Sequence, residues 1–87
     1  MRISEYLKQK DKVDILAQQD KLLSMIDIHP EVMGGLPCIK GTRLPVYIIL
    51  ELLQEEYTFE AIIKEYPGLS RDKIKAALHF AGLVASL

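Results

Sequence analysis

The chain has 87 residues, of which 49% are hydrophobic and 26% charged, with a formal net charge of −1. That is enough for one domain with a real core and too little for two. The ordinary charge content excludes an extended disordered chain, and the near-zero net charge excludes a strong overall pull toward nucleic acid or an anionic membrane. A chain this short buries a smaller fraction of its surface than a large domain, so association into a homodimer is expected.

The single cysteine, Cys38, cannot form an intrachain disulfide, and His29 and His79 are too far apart to share ligand spacing. No metal and no cofactor is therefore expected, and a reducing, cytoplasmic setting fits. The start of the chain carries Arg2, Glu5, Lys8 and Lys10 and lacks the apolar stretch of a signal peptide. No apolar run approaches the roughly 20 residues of a membrane span, so no membrane partner is expected.

Residues 1–23 read as a helical arm. Ile3, Tyr6 and Leu7 share one face, and Val13, Leu16, Ala17 and Leu23 extend it, with interruptions at Lys10 and Asp20. Acidic and basic residues balance along this stretch. Two roles remain open for it: a solvated arm, or an arm that binds a second subunit or another partner.

Residues 24–87 form the expected domain. Ile26 and Ile28 alternate with Asp27 and His29, the period of a half-buried strand that His29-Pro30 ends. Gly34-Gly35 supplies a turn where positive φ is free. Pro37-Cys38-Ile39 reads as a second short strand and Lys40-Gly41 as another turn. Two short strands alone are marginal in water, so a helix beneath them or a strand from a second copy is expected.

Three amphipathic segments follow. Pro45 fits the first position of a helix, and Val46, Ile49, Leu50 and Leu53 fall at i, i+3, i+4 and i+7. Thr58 reads as an N-cap, Phe59, Ile62, Ile63 and Tyr66 repeat the spacing, and Pro67-Gly68 stops the segment. Ser70 caps the last segment, with the stripe Ile74, Ala77, Leu78 and Ala81. Apolar residues left off these stripes, Ile48 and Leu52 on one helix and Ala76, Phe80, Leu83 and Leu87 on another, call for a second burial surface. A dimer or partner interface is accordingly expected at Ile26, Ile28, Ile48, Leu52, Phe80 and Leu83, with coverage by the N-terminal arm as the alternative.

The expected fold class is mainly α: a trihelical, homeodomain-like helix-turn-helix core with a short β-hairpin or strand pair and an N-terminal helix. Thr58 to Tyr66 would be the first helix of the unit, Pro67-Gly68-Leu69 the turn, and Ser70 to about Leu83 the helix that enters a major groove. Its leading residues, Ser70, Arg71, Lys73 and Lys75, are the candidate DNA contacts. Arg71 has the fork that pairs with guanine, and the lysines suit phosphates or bases. Residues 71–75 carry three positive charges and one negative. Residues 51–65 carry five glutamates against one lysine and would repel phosphates unless they face away.

The stretch Lys40-Gly41-Thr42-Arg43 is the second candidate. Lys40, Thr42 and Arg43 can grip phosphate around a sharply turning glycine, but the full glycine spacing of a nucleotide loop is missing. Its structural alternative is that Gly41 and Thr42 shape the approach to the Pro45 helix while Arg43 pairs with a carboxylate. No catalytic residue is expected: no serine sits on a nucleophile elbow, Cys38 lies in an apolar strand, and the glutamates follow helix spacing. The chain is expected to bind rather than to catalyse.

These residues resemble the domain of unknown function 433 family. The resemblance rests on His29-Pro30-Glu31, on Gly34-Gly35-Leu36-Pro37, on Ile39-Lys40-Gly41-Thr42-Arg43-Leu44-Pro45-Val46, and on Glu65-Tyr66-Pro67 before Ile74 and Ala77. It covers about residues 25–83. It implies a homeodomain-like trihelical fold and, since many members look like bacterial antitoxins beside a PIN-like nuclease, an antitoxin that binds promoter DNA and neutralises a toxin. A protein–protein interaction module acting through Phe80, Leu83 and the N-terminal arm, without DNA binding, is the rival expectation.

Overall fold

A computed structural model describes residues 21–87. The expected arm over residues 1–23 lies outside the described residues except for its last three. The described chain is mainly helical, with one two-stranded antiparallel sheet. Strand β1 is Ile26–Asp27 and β2 is Cys38–Ile39, paired Ile26 to Ile39 and Asp27 to Cys38. Helices α1 (Val46–Gln54), α2 (Phe59–Glu65) and α3 (Arg71–Ala85) follow.

The loop between the strands turns where the sequence is glycine-rich. A short 3-10 turn at Met33–Gly35 holds Gly34 at φ 66° and Gly35 at φ 87°. After β2 the chain doubles back at once. Ile39 N donates to Leu44 O at 3.0 Å, Val46 N donates to Pro37 O at 2.8 Å, and Cys38 bridges Pro45. Residues 40–43 thus form a tight loop at the end of the sheet. Pro45 sits one position earlier than expected: its ψ of 148° makes it the residue before α1, which begins at Val46. The missing proline N–H is harmless at either place.

Both remaining helix starts are capped by the residues the sequence nominates. The Thr58 hydroxyl accepts from Ala61 N at 3.1 Å and the Ser70 hydroxyl from Lys73 N at 3.2 Å, each satisfying one of the orphan donors of a first turn. Helix α1 ends without a glycine. Tyr57 N donates to Leu52 O and Glu56 N to Leu53 O, each at 3.0 Å, with Glu56 at φ 68°. This is the Schellman arrangement, here with a glutamate in the left-handed position that usually falls to glycine.

The core is one cluster: Ile39, Val46, Ile49, Ile62, Leu69, Ile74 and Ala77 are buried, with Ile26, Leu50, Leu53, Phe59, Ile63 and Tyr66 packed around them. Helix α3 is central and touches α1, α2 and β1. The two short strands therefore gain a helix as their support. The face α3 presents to the core differs from the expected stripe. Ile74, Ala76 and Ala77 are buried and Phe80 packs against the cluster, whereas Leu78 is 42% exposed. A helix with apolar residues on several sides has no single inward face until its neighbours choose one.

Candidate nucleic-acid interface

Each candidate contact can be followed from its local geometry. Arg71 is the first residue of α3. Its guanidinium Nη1 donates to Glu60 Oε1 on α2, and its carbon lies 5.0 Å from the centre of the Phe59 ring. Both charged partners remain largely in solvent, so the pair is worth about 0–1 kcal/mol and the cation–π contact roughly another 0.5–1 kcal/mol. Lys73 leans the other way, its Nζ donating to Gly68 O at 2.9 Å. Lys75 is exposed one turn beyond Arg71, on the same side of the helix. The cations grouped by sequence thus divide: Arg71 and Lys75 on one flank of α3, Lys73 on the other.

The loop of residues 40–43 closes on that second flank. A Cβ on Gly68 would lie 3.8 Å from the Thr42 methyl, an ordinary contact between segments 26 positions apart. A cleft of about 440 Å³ joins them, lined by Thr42, Arg43 and Leu44 on one wall and by Glu65 to Leu69 on the other. Arg43 is exposed, and among the described residues it has no carboxylate within ion-pair distance, so the expected carboxylate pairing is not found there. Lys40 is exposed beside it, with its backbone N–H donating to Met25 O at 2.8 Å.

Thr42 plays an internal part. Its hydroxyl donates to Ile39 O at 2.7 Å and accepts from Leu44 N at 3.1 Å. With Gly41 at φ 79°, this shapes the approach to α1 and leaves the hydroxyl no spare proton. Of the two roles open for this loop, Gly41 and Thr42 take the structural one, while Lys40 and Arg43 have no ion-pair partner among the described residues.

The apolar candidates do not gather in one patch. Ile26, Leu52 and Phe80 pack on the chain's own core. Ile48 and Leu52 line a shallow hollow on α1 with Glu51, Gln54 and Glu55. Leu83 is half-buried and Ile28 is 55% exposed. A different surface leaves no mark in the amino-acid order. An apolar groove of about 320 Å³ runs between the start of α1 and the end of α3, where Leu36, Tyr47 and Val84 stand exposed around Pro45, Leu50 and Phe80. His79 is half-buried, and its Nε2 has no hydrogen-bond partner among the described residues. Cys38 is buried, as expected for a packed thiol. Among the described residues no cluster of His, Cys, Asp or Glu could hold a metal, and no helix is long and apolar enough to cross a membrane.

These features define a small, mainly helical domain with a two-stranded antiparallel sheet. Residues 26–81 match the family described as "Protein of unknown function (DUF433)", and the chain belongs to that family. It is 28% identical over 71 residues to the uncharacterised protein y4eO of Sinorhizobium fredii, an alignment covering 82% of this chain and 31% of that protein. The chain thus spans about a third of the length of this curated relative. Its structure is similar to the crystal structure of a DUF433 member from Anabaena variabilis, with a TM-score of 0.66 and 27% identity over 95% of this chain and 89% of the other.

Proposed function

We propose that the chain binds double-stranded DNA with the leading turn of α3 and the loop of residues 40–43, in the manner of a helix-turn-helix. The reading rests on one juxtaposition: Thr42 beside Gly68 brings Arg43 to the flank of α3 that carries Lys73, while Arg71 and Lys75 stand on the other flank of the same leading turns. A groove-entering helix uses its first residues for bases and the flanking loops for phosphates. Here the start of α3 supplies base contacts and, through its lysines, phosphate contacts, and residues 40–43 add further phosphate contacts. Ser70 stays in its capping role and Thr42 supports the loop.

The acidic stretch does not face away as expected, since Glu60 and Glu65 of α2 lie beside the proposed contacts. Glu60 is neutralised locally by Arg71, whereas Glu65 lies at the cleft and limits how closely a phosphate approaches there. If Lys40, Arg43, Lys73 and Lys75 each meet a phosphate, the log–log salt slope is about −3.6 per protomer, and binding weakens roughly 100-fold between about 50 and about 200 mM salt. A gel-shift titration at several salt concentrations measures this. Binding to duplex that is absent even at low salt sinks the reading.

The apolar groove favours a second role, docking of a protein partner. The antitoxin role implied by the family resemblance needs such a surface in addition to the basic edge. Salt-independent capture of a nuclease encoded by a neighbouring gene, lost on Val84→Glu, is the result that supports it.

A further inference from the structure

We infer that Glu60 and Phe59 hold Arg71 as a pre-set reader of guanine, so that this arginine recognises a base edge while the other cations of the surface meet phosphate. The inference rests on the DNA-binding reading above and assigns a ligand chemistry to one side chain within it.

Three observations carry it. The Glu60 carboxylate takes one end of the guanidinium, at Nη1. The Phe59 ring lies against its face, 5.0 Å from the central carbon. Glu60 and Phe59 are adjacent in the first turn of α2, so a single rigid element sets both contacts. A free arginine samples many rotamers and loses that freedom on binding. One biased by contacts at its face and at one end has lost part of it beforehand. A guanidinium carries five N–H donors, and Glu60 takes one. Four remain, and the three on Nη2 and Nε are enough for the paired acceptors O6 and N7 of guanine.

Charge decides between base and phosphate. Glu60 is exposed and stands directly against Arg71. A phosphate placed on Arg71 would meet that carboxylate at close range and be repelled. The edge of a guanine is neutral and rich in acceptors, so it keeps the attraction and escapes most of the repulsion. Lys73, Lys40 and Arg43 have no such carboxylate within ion-pair distance among the described residues. Glu60 is thus a positioning residue that trades overall affinity for discrimination.

The test selects bound sequences from a randomised duplex pool with four full-length proteins: wild type, Arg71→Ala, Glu60→Gln and Lys75→Ala. Melting curves confirm that each is folded. Wild type enriches guanine at one position. Arg71→Ala loses that preference, on the order of tenfold, and keeps the salt slope. Glu60→Gln relaxes the same preference while binding the unselected pool about threefold more tightly, since a repulsive charge is gone. Lys75→Ala keeps the preference and lowers the salt slope by about one.

The inference is overturned if Arg71→Ala lowers the salt slope by about one with sequence preference intact, for the arginine then meets a phosphate. It is overturned equally if Glu60→Gln leaves both preference and affinity unchanged. If no folded protein binds the pool at low salt, the DNA-binding reading fails and takes the inference with it. The first two results leave that reading standing.

Discussion

Replacing Thr42 by valine separates the structural role of the loop at residues 40–43 from the phosphate contact proposed for it. Valine keeps the branched shape and the methyl that faces Gly68 but removes the hydroxyl. Two hydrogen bonds go with it, to Ile39 O and from Leu44 N. Ile39 O keeps a second donor, Thr42 N at 3.0 Å, so little is lost there. Leu44 N is left without that acceptor in a half-buried place. An orphaned donor of this kind costs about 1–3 kcal/mol, and one net hydrogen bond about 0.5–1.5 kcal/mol. Partial exposure favours the lower halves of both ranges, giving a loss of about 2 kcal/mol.

For a domain of this size that lowers Tm by about 10 °C. Urea titration followed by circular dichroism reads it as a shift in midpoint with an unchanged slope. Thr42→Ser, which retains the hydroxyl, keeps most of the stability. The salt dependence of DNA binding by folded Thr42→Val equals that of wild type. A stability loss below about 0.5 kcal/mol, together with a salt slope reduced by about one, would refute the reasoning. The hydroxyl would then serve a phosphate rather than the loop.

Three further outcomes follow from the packing. Ile74→Ala, at a fully buried position in the central helix, loses about 2–5 kcal/mol, read as a lowered urea midpoint by circular dichroism; a loss under about 1 kcal/mol places the core elsewhere. Glu56→Gly relieves the left-handed backbone at the end of α1 and raises stability by up to about 1 kcal/mol in urea titration; a clear loss means the glutamate side chain holds the turn. Gly82→Ala, in open space on α3 with no positive φ, stabilises by roughly 0.5–1 kcal/mol, whereas Gly41→Ala at φ 79° destabilises by about 1–2 kcal/mol despite equal room; equal effects from the two would show that backbone conformation does not govern the loop.

How much of the candidate site could be read beforehand depends on sequence distance. Ser70, Arg71, Lys73 and Lys75 were identifiable because a capping hydroxyl and the charges after it mark the start of a helix. Lys40 and Arg43 were identifiable because a glycine between cations marks a turn. The Glu60 contact to Arg71 was not, since its two ends are 11 positions apart and meet only when α2 packs on α3. In the amino-acid order Glu60 is one of five glutamates at helix spacing. The groove at Leu36, Tyr47 and Val84 was hidden for the same reason, with walls drawn from three separate segments.

The amino-acid order alone determined what closes within a few residues. The caps at Thr58 and Ser70, the positive-φ turns at Gly34, Gly35 and Gly41, and the placement of the helices all depend on hydrogen bonds and sterics that span about five positions. Tertiary packing decided the rest. It turned Ala76 and Phe80 inward and Leu78 outward, set Thr42 against Gly68, and gave Arg71 its carboxylate. A helix apolar on several sides carries no instruction about which side is buried; that choice belongs to whichever neighbouring surfaces fit it best.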